Sequence, residues 1–87
     1  MGRYIQGSAF GKAPMLMDEH GAEVICVNDA HKAFDDGMGV VCVVSNGFFE
    51  AAAYCYSKSE IEEFARHDGR PKTWLKMDKD LAEKLAV

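Results

Sequence analysis

The stretch VVCVVSNGFFEAAAYCYS, residues 40–57, decides how this chain folds. Two runs of strand-forming residues flank Asn46-Gly47, a dipeptide favoured in type I′ turns because both central positions need positive φ. A two-residue loop sets Ser45 against Phe48, Val43 against Glu50 and Val41 against Ala52. Strand side chains alternate between faces, so Val40, Cys42, Val44, Phe49, Ala51, Ala53 and Cys55 share one side. That side has no polar member and must meet a core. The other side holds Val41, Val43, Ser45, Phe48, Glu50, Ala52, Tyr54 and Tyr56, a mixture of aliphatic and aromatic surface with one acid. A hairpin apolar on both sides belongs inside a layered domain, its tyrosine side lidded by another segment or another molecule.

Downstream, Ser57 is suited to cap a helix and Glu60 completes a capping box, with Tyr56 and Ile61 placed to form a hydrophobic staple. Ile61, Phe64 and Ala65 make the apolar stripe of this helix, and Gly69 and Pro71 stop it. KTWLKM, residues 72–77, alternates as a strand, and Asp78 precedes a last helix over 79–86 that buries Leu81, Ala82 and Leu85. Strand 48–56, helix 58–68 and strand 72–77 then form a β-α-β unit with parallel strands. Upstream, PMLMDEHGAEVICV predicts two short strands, about 14–17 and 22–27, joined by Asp18-Glu19-His20-Gly21. Asn28 or Asp29 is the expected cap of a two-turn helix ending at Gly37, with Ala30, Ala33 and Phe34 on one face. Tyr4-Ile5 makes a short strand at best. The sum is one α+β domain over residues 1–87, with a mixed, mostly antiparallel sheet, a central Asn-Gly hairpin and three short helices.

At 87 residues the chain buries about 60% of its unfolded surface, so its stability margin is thin. No apolar run approaches the roughly 20 residues of a spanning helix, and the N-terminus has no signal-peptide block. The expectation is a soluble cytoplasmic protein that makes no membrane contact. Net charge is −4, with ten acids and four bases in residues 1–63 and four acids and six bases in 64–87. Nucleic-acid binders normally carry a dominant basic field. Nucleic acid is therefore a disfavoured partner, although the basic segment 66–79, with Arg66, Arg70, Lys72, Lys76 and Lys79, keeps it as an alternative.

Candidate chemistry is sparse. GSAFGKA, residues 7–13, has three residues between its glycines and Ala13 after Lys12, so it lacks the spacing and the hydroxyl of a phosphate loop. Cys26, Cys42, Cys55, His20, His31 and His67 offer no closely spaced half-site for zinc. The three cysteines read as buried reduced thiols. Cys55, two residues before a helix start, is the one candidate nucleophile, yet it points at the core. His31 is expected to face solvent. Neither a catalytic set nor a metal site nor a cofactor is expected, and a small thiol- or metal-dependent enzyme stands as the alternative. The carboxylates Asp18, Glu19, Asp35, Asp36, Glu62 and Glu63 read as solvated surface, or as an acidic patch that imitates a phosphate backbone. Trp74 is expected to pack beneath a helix or under lysine stems, or else to anchor an interface.

The string DGRPKTWLKMDKDLAEKLA, residues 68–86, resembles the tails of small accessory proteins encoded by tailed bacteriophages. The resemblance covers about a fifth of the chain, brings no catalytic motif and implies a stoichiometric binder of a host factor, acting in the host cytoplasm. The expected function is a non-enzymatic protein–protein interaction module, such as an inhibitor of a host protein. Its expected contact residues are Phe48, Glu50, Tyr54, Tyr56 and Trp74, meeting that host protein or a second copy in a homodimer.

Overall fold

The structure, a computed structural model, describes residues 4–5, 12–45, 50–66 and 69–86. The elements run α1 (Lys12–His20), β1 (Glu23–Ile25), α2 (Val27–Asp35), β2 (Gly39–Ser45), β3 (Glu50–Tyr54), α3 (Lys58–Arg66), β4 (Lys72–Met77) and α4 (Lys79–Leu85). The class is α+β. The four strands order as β1-β4-β2-β3, and each neighbouring pair is antiparallel.

The register of β2 and β3 pairs Ser45 with Glu50, Val43 with Ala52 and Val41 with Tyr54. This differs by two residues from the register of a two-residue loop. Residues 46–49, with the expected Asn46-Gly47 turn and Phe48, lie outside the described residues. A slip of two leaves every side chain on its original face, whereas a slip of one would have exchanged the faces. The expected division of sides therefore holds: Val40, Cys42 and Cys55 join one cluster, and Val41, Val43, Ala52 and Tyr54 join the other.

Three expectations give way. Residues 14–17 belong to helix α1, not to a strand, and the helices number four among the described residues. Lys, Ala, Leu, Met and Glu are all good helix formers, and Pro14 sits in the first turn, where its missing N–H costs nothing. Ala13 and Leu16, three apart, face the core together. Gly21, at φ 70°, turns the chain so that the Ala22 N–H reaches the Leu16 carbonyl at 3.1 Å. Second, the sheet is not mixed: β3 and β4 run parallel, as the β-α-β reading required, but β2 lies between them, antiparallel to both. The sheet therefore has no parallel hydrogen-bonded pair among its four strands. Third, α2 begins at Val27 and its capping position is Cys26, which makes no side-chain capping bond. Its end follows expectation. With Gly37 at φ 81°, the Gly37 N–H bonds to the Phe34 carbonyl and the Met38 N–H to the Ala33 carbonyl, at 3.1 and 2.9 Å. This pair of bonds is the Schellman arrangement.

The later caps form as read. Ser57 Oγ accepts from the Glu60 N–H at 3.3 Å, while Glu60 Oε1 accepts from the Tyr56 N–H at 2.7 Å. Asp78 Oδ2 accepts from the Leu81 N–H at 3.0 Å. The expected staple does not join one cluster, because Tyr56 packs with one face of the sheet and Ile61 with the other.

The helices split between the two faces. α1 and α4 cover the side carrying Val41, Val43, Tyr54, Leu75 and Met77, which are joined by Leu16 and Ala82. α2 and α3 cover the side carrying Val40, Cys42, Cys55 and Trp74, which are joined by Ala30, Ala33 and Ile61. Tyr4 bridges to Ala53, and the Ile5 N–H bonds to the Ala52 carbonyl at 2.9 Å, so this segment runs along the outer edge of β3. At the opposite edge, β1 pairs among the described residues with β4 alone.

Candidate functional site

The residues expected to meet a partner lie mostly inside the domain. Tyr54 is 2% exposed beneath the α1–α4 layer. Its hydroxyl donates to Glu83 Oε1 at 3.4 Å, and its ring meets Tyr56 edge-on at 4.6 Å between centroids. Burial, then the nearby Glu83 carboxylate, push its hydroxyl up to about 12 from the ordinary 10.0. Trp74 is 6% exposed in the α2–α3 cluster, as the packing alternative required. Glu50 and Tyr56 are half-buried. The expectation that Tyr54 and Trp74 anchor an interface is therefore corrected: the chain's own helices occupy the surface a partner would need. The lid over the tyrosine side is α1, which the alternating reading of PMLM had hidden.

The acidic residues do not converge on one patch. Asp18 and Glu19 end α1 on one face of the sheet, whereas Asp35, Asp36, Glu62 and Glu63 belong to α2 and α3 on the other. Asp35 is ion-paired with Lys58. The basic stretch is similarly dispersed. Arg66 ends α3 and Lys79 begins α4, on opposite faces, while Lys76 lies 3.6 Å from Glu23 and Lys72 Nζ donates to the Arg70 carbonyl at 3.4 Å.

The thiols separate into two kinds. Cys42 and Cys55 are buried, and burial raises Cys42 from the ordinary 9.0 to about 11, with Lys72 pulling weakly the other way. Cys55 is thus an interior residue and not an activated nucleophile at a helix start. Cys26, expected to be buried, is exposed at the start of α2. Among the described residues no three His, Cys, Asp or Glu side chains gather as a metal-ligand set. No helix among them is long and apolar enough to cross a membrane.

Two features remain at the surface. The first is the outer edge of β1, where Val24 is 56% exposed. Its neighbour Glu23 is also exposed, and Asp18 and Glu19 stand at the end of α1, just before the turn into this strand. The second is a groove of about 410 Å³ between α2 and α3, lined by Val27, Asn28, His31, Glu62, Ala65 and Arg66. The helices run antiparallel, closed at one end by Lys58 on Asp35 and open at the other, where Ala65 presents only a methyl group.

The chain matches no family model, no curated protein and no solved structure. The surface must be read from its own chemistry. Val24 went unnoticed in the sequence because AEVIC reads as core strand, whereas β1 is three residues long and has one neighbour among the described residues. His31, expected in solvent, is half-buried in the groove. Its i, i+3 spacing from Asn28 and the i, i+4 spacing of Glu62 and Arg66 were visible, but not that the two pairs face each other.

Proposed function

We propose that this chain is a non-enzymatic protein–protein interaction module that takes up an extended segment of its partner along the outer edge of β1. The observation that carries the reading is the contrast between the sheet's edges: β3 is covered by Tyr4-Ile5, while β1 has one neighbour among the described residues and exposes Val24. An open edge offers backbone donors and acceptors to an added strand, with alternate side chains giving selectivity. The acids Asp18, Glu19 and Glu23 around β1 favour a segment that carries basic side chains. The resemblance of residues 68–86 to the tails of small phage-encoded accessory proteins supports the same class, a host-factor inhibitor working in the host cytoplasm.

The test places a photo-crosslinking residue at position 24, and as controls at the exposed positions 4 and 17, in cells that contain the partner. Crosslinks to one protein from position 24 but not from the controls, abolished by Glu23→Lys in the same chain, are the expected result. Amides 23–25 of the purified complex should exchange more slowly than in the free chain. Equal crosslinking from all three positions, or unchanged exchange at 23–25, overturns the reading. A crosslink to a second copy would make the partner this same chain.

A further inference from the structure

The groove between α2 and α3 has a chemistry separate from the β1 edge. Each helix supplies two polar side chains one turn apart, Asn28 and His31 from α2 and Glu62 and Arg66 from α3. Glu followed by Arg at i+4 is a spacing that ordinarily pairs on a helix surface. Here the two stay apart, and among the described residues none of these four side chains makes a hydrogen bond or ion pair. Val27 and Ala65 add apolar surface, and the volume of about 410 Å³ falls within the range of roughly 300–1,000 Å³ for small-molecule sites.

Charge narrows the ligand. Glu62 repels a phosphate or other multivalent anion, and Arg66 repels a polyamine. A molecule bearing one carboxylate and one ammonium group satisfies both at once, the carboxylate on the Arg66 guanidinium and the ammonium on the Glu62 carboxylate. Asn28 and His31 can each hydrogen-bond a second atom of the same ligand, and the apolar surface suits an aliphatic side chain. We propose that the α2–α3 groove, through Arg66, Glu62, Asn28 and His31, binds a free zwitterionic amino acid with an aliphatic side chain.

The test is an amide NMR titration of the whole chain with three probes sharing one hydrocarbon tail: leucine, isovalerate, which has only the carboxylate, and isoamylamine, which has only the ammonium. Leucine should shift amides 27–31 and 62–66 and saturate near about 1 mM, with each single-charge probe about tenfold weaker or more. Arg66→Gln and Glu62→Gln should each weaken leucine by about tenfold or more, since hydrogen bonds to charged groups are worth that much. Both positions are exposed, and the remaining amide shifts report that the fold is kept. Asp35→Asn, at the closed end of the helix pair, should leave leucine binding unchanged. Shifts that never saturate, single-charge probes that bind as well as leucine, or substitutions at 62 and 66 without effect would each overturn the assignment.

Discussion

Over one face of the sheet α1 and α4 close on Leu16, Tyr54, Leu75 and Met77; over the other α2 and α3 rest on Ala30, Ala33, Cys42 and Cys55, with Ile61 and Trp74 supplying the bulk. The first layer is drawn tight. A Cβ built on Gly39 would come within 2.9 Å of Ala82 Cβ and 3.1 Å of the Lys79 Cα, so the backbone of β2 sits directly against α4. The second layer is filled by Trp74 and Ile61 among smaller side chains, with Phe34, Met38 and Phe64 packed against them, and its helices part at Ala65 to leave the groove. How near a helix lies to a sheet is set by the smallest residues at the contact. Where those small residues face another helix end instead, space is left for a ligand.

The sharpest way to break the contrast is to remove the indole. Trp74→Ala deletes the largest side chain of the α2–α3 layer, at 6% exposure, and should cost about 3–5 kcal/mol by urea unfolding. In a domain with so thin a margin, that loss approaches complete unfolding. Retention of most of the parent stability would mean that α2 and α3 do not depend on Trp74.

A matched pair of enlargements comes next. Ala82→Leu overfills the contact with Gly39 and should destabilise by about 1–3 kcal/mol. Ala65→Leu projects into open space and should stay within about 0.5 kcal/mol of the parent. Equal costs at the two positions would erase the distinction between a closed layer and a parted one.

A further effect appears only under alkaline conditions, and each layer contributes one group. Cys42 gives up its proton at 9.0 when unfolded but only at about 11 when folded, and Tyr54 at 10.0 against about 12. In both cases the folded state holds the proton more tightly. Stability is therefore complete below the lower value and declines as pH rises to the upper one. Cys42→Ala should remove the decline that begins near 9.0, and Tyr54→Phe the part that begins near 10.0. Unfolding midpoints followed across this window check both, and parallel curves for parent and variants would contradict them.

Much of the second half of the chain was legible. The all-apolar side of residues 40–55 allowed one orientation of β2 and β3, and a register error of an even number of residues could not disturb it. The caps Ser57 and Asp78 and the stop at Gly37 act over three or four residues, within the reach of local chemistry. The failures involve distance along the chain. PMLM fits a strand or the buried stripe of a helix, and only the Tyr54 side of the sheet, some 40 residues away, decides for the helix. The place of β4 between β1 and β2 depends on which edge is free when it arrives, a property no local segment carries. The candidate site suffered most. Tyr54 was taken for a contact residue because α1, part of its lid, read as a strand, and the groove needs two helices aligned side by side.

The position of β4 has a consequence for synthesis. Among the described residues, the fourth strand to leave the ribosome is also the only link between β1 and the rest of the sheet. While translation has yet to pass residue 77, β1 lacks its one strand partner among the described residues, however well the β2–β3 pair has formed. Nascent chains halted before β4 should thus be readily captured by chaperones and proteases.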